Sequence, residues 1–312
     1  MAAAEMRSSV AMVKCIGVLS AVVSIGISVF TAVWLDARMT ADAQSQLRRV
    51  TVVLADQTLL SFESLDAMLR HSAKEIERQF PDWPHADPLS LHELLQEDKG
   101  GVPHAQALLA IRQDGLMLGN SRDYPPPEVH TQDRDYFQAQ RDKRAGASLF
   151  IGAAVQNRIN GNWMIPLSMR LDAKGQFGGV LMAAMDVQYF SRLYERMYVP
   201  VGGSVYVVRT DGSVLASYPE GVHVPPADDQ ISFAVPIPAY GITAGMSIAR
   251  ESLRAYWRPV IAAVFVGAVA SSVLILVLIL YVTLRLSEYA RWDALRAKSQ
   301  WQPSIIDGGK DA

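Results

Sequence analysis

The chain has 312 residues, half of them apolar, with a formal net charge of -2 and a single cysteine. This balance excludes a basic nucleic-acid-binding face. It also excludes a disulfide-stapled scaffold, so an outer domain of some 220 residues must be stabilised by core burial.

The apolar residues are unevenly spread. No charged residue lies between Ile16 and Leu35, nor between Pro259 and Leu284, and each run meets the roughly 20-residue length that spans about 30 Å of hydrocarbon. Two membrane spans are predicted, residues 16–35 and 259–284. The small-x-small triplet Ala41-Asp42-Ala43 offers a cleavage-site alternative for the first, but the apolar core is too long for a signal peptide and ends well before that site. Arg7 and Lys14 precede the first span, and Arg285, Arg291, Arg296 and Lys298 follow the second. Both termini (residues 1–15 and 285–312) are therefore expected in the cytoplasm, with the intervening segment in a bacterial periplasm. Arg38, Arg48, Arg49, Arg250, Arg254 and Arg258 flank the other side, but a loop this long translocates largely regardless of charge.

Residues 36–80 carry Leu47, Val50, Leu54, Thr58, Phe62, Leu65, Leu69, Ala73, Ile76 and Phe80 on one stripe, spaced by three or four. That is the helical period, and it predicts a stalk helix about 65 Å long. Its stripe can pack on its own domain or pair with a second copy in a homodimer. Pro81, Pro84 and Pro88 end it, and a short helix follows over Ser90–Glu97. Ala107–Ile111 and Leu116–Leu118 flank Gln113-Asp114-Gly115, a hairpin signal. After the loop at Tyr124 and Pro125-Pro126-Pro127 comes Asp133-Arg134-Asp135-Tyr136-Phe137. Strands are predicted over Ser148–Val155, Trp163–Leu171 and Gly178–Asp186, forming an antiparallel meander closed by a helix over Val187–Met197.

A smaller unit is expected from Pro200. Its hairpin Arg209-x-Asp211-Gly212-x-x-Leu215 repeats Arg112-x-Asp114-Gly115-x-x-Leu118, which suggests duplication. Strands over Ile231–Pro238 and Ile242–Ile248 complete it, and Glu251–Arg258 leads into the second span. Residues 285–312 are too few to fold an enzyme core, so output is expected from a separate cytoplasmic protein or from a longer chain.

Arg134-Asp135-Tyr136-Phe137, with Gly161-x-Trp163, Ser168-x-Arg170-Leu171, Gly175-x-Phe177-x-Gly179-Val180 and Asp186-x-x-Tyr189-Phe190 behind it, resembles the double Cache sensor domains of bacterial diguanylate cyclases, histidine kinases and chemoreceptors. The resemblance covers roughly Asp36–Arg258. It implies an α+β architecture of the long stalk helix and two PAS-like antiparallel-sheet modules, membrane-distal (81–199) and membrane-proximal (200–258), with ligand usually in the distal one. In amino-acid-binding members an arginine in this block grips the ligand carboxylate, and an aspartate after the Gly-Val strand holds the ammonium. Arg134 and Asp186 stand at those positions. Tyr136 and Phe137 replace two aromatics, and Gly152 stands where a second aspartate often lies. The ammonium cage is thus incomplete, which keeps a small organic anion open as ligand.

The candidate ligand-binding residues are Arg134, Tyr136, Phe137, Trp163, Arg170 and Asp186. Each also has a structural reading: a salt bridge for Arg134 or Asp186, core packing for Tyr136, Phe137 and Trp163, a rim charge for Arg170. No catalytic residue, metal site or cofactor is expected. The six histidines lack metal-ligand spacing, and no phosphate loop, nucleophile elbow or Gly-Gly-Asp/Glu-Glu-Phe cyclase signature is present. The expected function is a membrane-bound extracytoplasmic small-molecule sensor. The alternative is a membrane-anchored binding or scaffold protein working with a separate kinase, cyclase or transporter.

Overall fold

The computed structural model describes residues 2–142, 149–195, 202–219 and 230–299. The chain divides into two compact units, Ala41–Leu253 and Met1–Thr40 with Arg254–Ala312.

In the first unit, the outer part of helix α1 (Ala2–Gln79) turns the predicted stripe inward: Leu47, Leu54, Phe62, Leu65, Leu69 and Ile76 are all buried. A 3₁₀ turn at Trp83–His85 follows, then α2 (Pro88–Lys99), whose N-cap Asp87 accepts the Ser90 N–H. That bond satisfies one of the donors a helix start leaves free. Strands β1 (Ala105–Arg112) and β2 (Met117–Asn120) form the predicted hairpin. Gly115 supplies the positive φ of 79° that its turn requires.

Helix α3 (Asp135–Arg141) precedes β3 (Phe150–Ile151), β4 (Val155–Gln156), β5 (Trp163–Ala173) and β6 (Gln176–Asp186). The sheet order is β2-β1-β6-β5-β3, with β4 also paired to β5. The expected strand over Ser148–Val155 is two short pieces instead. Between them the Ala153 N–H turns away from the ladder to the Asp135 carboxylate at 3.0 Å, so the pairing breaks there. Ser148 lies outside the described residues.

Helix α4 (Val187–Glu195) leaves this sheet; Met197, its expected end, lies outside the described residues, as does Pro200. The second sheet consists of β7 (Gly203–Arg209), β8 (Val214–Tyr218), β9 (Gln230–Ile237) and β10 (Ile242–Ala249), in the order β8-β7-β10-β9. Every strand pair in both sheets is antiparallel. One apolar cluster joins the stalk stripe to a face of each sheet, through Leu108 and Leu181 of the first and Val207 and Ala244 of the second. A separate cluster, including Tyr136, Phe137, Val180 and Met182, lies on the opposite face of the first sheet, under α3.

In the second unit, α1 from Ala2 and α5 (Arg250–Ser299) contain 18-residue windows of mean hydropathy 2.3 and 2.9. Several of their hydroxyls bond back to their own helix: Ser28 donates to the Ser24 carbonyl, Ser271 to that of Ala268 and Thr283 to that of Leu280. Gly17 faces Ile279 so closely that a Cβ there would lie 1.9 Å from its Cδ1. The chain is thus α+β, with a long N-terminal helix, two antiparallel sheets and two membrane-length helices.

Candidate ligand-binding site

At one end of the second cluster a small cavity, open to solvent, lies between the sheet and the segments that cover it. Its floor is Leu109 of β1, Met117 of β2, Met164 of β5 and Met182 of β6. The polar wall comes from two connections: Thr131, Arg134 and Tyr136 at the entry to α3, and Asn157 and Arg158 after β4. Val129 and Ile159 close the remainder.

Arg134 is the N-cap residue of α3, in extended conformation, which turns its side chain off the helix axis. Its Nη2 donates to the Gln156 carbonyl at 3.0 Å, while its Nε is buried without a partner. A desolvated guanidinium donor left unpaired is costly, more so than a neutral one. Arg158 reaches across to the same segment, donating to the His130 carbonyl and the Asp133 carboxylate; this pair holds the Asp133 carboxyl below its usual range. The Tyr136 ring is buried, and burial pushes its hydroxyl pKa up to about 12, against the pull of Arg134, the Thr131 hydrogen bond and Arg158. The hydroxyl is therefore a neutral hydrogen-bonding group at any physiological pH.

Of the six residues singled out from sequence, Arg134 and Tyr136 line this cavity and the other four do not. Phe137 is fully buried, edge-on to Phe177 with centroids 5.9 Å apart. Arg170 stacks on the Phe177 ring, pairs with Asp172 at 2.7 Å and donates to the Gln140 carbonyl. It clamps α3 onto the sheet, alongside the Ser168 hydroxyl, which donates to the Tyr136 carbonyl. Trp163 opens β5, half-exposed. Asp186 ends β6: it caps α4 by accepting the Gln188 N–H at 3.0 Å and is held by Gln106 and Arg192.

At Gly152, a Cβ would lie 2.7 Å from Pro166 Cγ and 3.0 Å from an Asp135 oxygen. No aspartate side chain fits there, because Asp135 already fills the space. Sequence reasoning did not single out Arg158, Asn157 or Thr131. The signal available was the turn Asn157–Asn162, whose Asn-rich composition marks a loop but not where it folds. Among the described residues no cluster of His, Cys, Asp or Glu could hold a metal ion.

No family model and no curated protein matches the sequence. Solved structures do. The extracellular domain of rpHK1S-Z16, named as a histidine kinase, is 22% identical with a TM-score of 0.58, over 70% of this chain and 98% of that one. The ligand-binding domain of the Pseudomonas fluorescens chemoreceptor CtaA, solved with L-serine, gives 17% and 0.52, over 67% and 98%. That of the Campylobacter jejuni chemoreceptor Tlp3, solved with L-norvaline, gives 11% and 0.52, over 69% and 94%. The fold is that of extracellular Cache-type sensor domains. By name these counterparts are one extracellular domain and two ligand-binding domains, and the fold is the one that the motif order around Arg134 and Asp186 implies.

Proposed function

We propose that the chain is a membrane-anchored extracytoplasmic sensor that binds a small organic anion in the cavity of the first sheet, with Arg134 as the charged contact and Tyr136 beside it. The buried, unpartnered Nε of Arg134 carries this reading, since an anion is the partner it lacks. Two of the similar domains were solved with small molecules, L-serine and L-norvaline.

In this reading both apolar runs span the membrane, both termini are in the cytoplasm and the sensor unit is in the periplasm. Spacing along α5 supports this: Arg258 to Arg285 is about 40 Å at 1.5 Å per residue, matching a bilayer with its headgroups, about 40–45 Å. Aromatic residues stand at both levels. Tyr256 and Trp257 pack edge-on outside, and Arg285 lies over Tyr281 inside, as interfacial anchors do. Arg38 over Trp34 repeats the arrangement at the outer end of the first span.

A homodimer through the stalk helix, where Val53 and Leu60 are exposed seven residues apart, and a cytoplasmic output partner complete the proposal. The test is a thermal-shift screen of the full chain in detergent against organic acids, amino acids, amines and purines. A stabilising compound whose effect disappears in Arg134→Ala is expected; a hit indifferent to that substitution moves the site elsewhere.

A further inference from the structure

We propose that the pocket selects a short aliphatic carboxylate that carries no ammonium group, gripped between Arg134 and Arg158. This rests on the sensor reading above and names the chemical class of its ligand.

The polar wall presents donors, while its acceptors are already engaged. The Gln156 carbonyl takes Arg134 Nη2, the His130 carbonyl takes Arg158 Nη1, and Asn157 Oδ1 takes the Ile159 N–H at 2.9 Å. The Thr131 hydroxyl donates to the Gly115 carbonyl at 3.3 Å. No Asp or Glu lines the cavity among the described residues. The three acids nearest in the sequence pattern are outside the lining and already partnered. Asp133 is paired with Arg158, and Asp135 accepts the Tyr136 and Ala153 N–H groups at 2.7 and 3.0 Å. Asp186 caps α4 and pairs with Arg192.

The lining combines the unpaired Arg134 Nε–H with the Arg158 guanidinium, whose Nη1 and Nη2 also hold the His130 carbonyl and Asp133, with the Tyr136 hydroxyl, which shares a hydrogen bond with Thr131, and with Asn157. A carboxylate satisfies such a set with charge-assisted hydrogen bonds. An ammonium meets the Arg134 charge and, since Asp133 is already paired with Arg158, no free carboxylate, and a buried charge without a partner is strongly disfavoured. The rest of the cavity is apolar, and three of its six apolar residues are methionines, Met117, Met164 and Met182. Their flexible thioethers adapt to an alkyl chain. An oxygen on the α-carbon, as in an oxo or hydroxy acid, is compatible with the remaining donors.

Three compounds with one five-carbon skeleton isolate the question: pentanoate, 2-oxopentanoate and L-norvaline, titrated calorimetrically into the full chain in detergent micelles. We expect at least one of the two acids to bind and L-norvaline to bind about 100-fold more weakly or not at all. Arg158→Gln should weaken the acid by about tenfold or more. L-norvaline binding as tightly as the acids, or an acid indifferent to Arg158→Gln, overturns the ligand class but leaves a small-molecule sensor standing. Failure of all three also overturns it; the sensor reading falls only if the broad thermal-shift screen returns no stabilising compound.

Discussion

Asp135 and Arg209 meet at 3.7 Å, joining the first residue of α3 to the last residue of β7 in the second sheet. Arg209 also pairs with Asp211 at 3.2 Å and lies over the Phe150 ring, and Asp135 accepts two backbone N–H groups. The second module's hairpin therefore touches the helix start that presents Arg134 and Tyr136 to the cavity. In the first hairpin the matching Arg112 pairs with Asp114 in its own turn, and the α3 entry is met instead by the Asp114 and Gly115 carbonyls, which accept from Gln132 and Thr131.

The pair is partly open to solvent, so its direct energy is small, at most about 1 kcal/mol. The two substitutions should differ. Arg209→Gln is expected to cost about 0.5–1 kcal/mol of stability, whereas Asp135→Ala also strands the Ala153 and Tyr136 N–H groups and should cost about 2 kcal/mol or more. Denaturant midpoints of the two variants decide it. Equal losses would mean that Asp135 acts only as a counter-ion.

His104 supplies a pH dependence. Its Nε2 donates to the Ser61 carbonyl at 3.0 Å and lies 2.9 Å from the Ser64 hydroxyl, both on the stalk helix, with the Tyr189 ring beside it. Burial pulls its pKa below the usual 6.5. The folded state thus holds a neutral ring while the unfolded chain protonates, so this stability is present above about pH 6.5 and is lost as pH falls through the lower folded pKa. Melting of the full chain between pH 7.5 and 5 should show a steeper decline in wild type than in His104→Gln. Parallel curves would remove His104 as the cause.

The parts of the fold set by local pattern were legible from residues alone. The stalk stripe from Leu47 to Ile76 and the hairpins at Gly115 and Gly212 need no knowledge of distant partners. Of the residues that line the cavity, Arg134 and Tyr136 stood out in the sequence because a guanidinium and a phenol suit ligand contact. Arg158 did not, since only the fold of the loop after β4 back over the α3 entry brings it there. Asp186 has the right chemistry in the wrong surroundings: it sits directly before α4, and a carboxylate there caps the helix. The two-piece strand β3/β4 was hidden for the same reason as Gly152, because both depend on where the Asp135 side chain goes.

Gly179 is a position where any side chain should fail. It has φ +151°, and a Cβ would lie 2.0 Å from the Ile111 carbonyl oxygen and 2.7 Å from the Trp83 ring, both fixed by the sheet and by burial. Gly179→Ala is expected to destabilise by about 2–4 kcal/mol, whereas Gly161→Ala, with nothing near its Cβ, should cost about 1 kcal/mol from its positive φ alone. Chemical denaturation compares them. A mild Gly179→Ala would mean that the bulged end of β6 relaxes freely.

Arg134 and Phe137 lie three residues apart and should give opposite signatures. Phe137 has no exposed surface and packs against Phe177; truncation to alanine is expected to cost about 3–5 kcal/mol, so any loss of ligand response in that variant follows from damage to the fold. Arg134 makes one bond, to the Gln156 carbonyl, and leaves a charged donor buried and unpaired. Replacing it by glutamine removes that penalty along with the bond, and stability should change by no more than about 1 kcal/mol in either direction. Ligand binding should nonetheless be lost, because the charge is what the anion reads. Denaturation without ligand and calorimetry with it separate the two cases. An Arg134→Gln protein as unstable as Phe137→Ala would make Arg134 a structural residue, and the cavity would then lose the group that points it toward an anion.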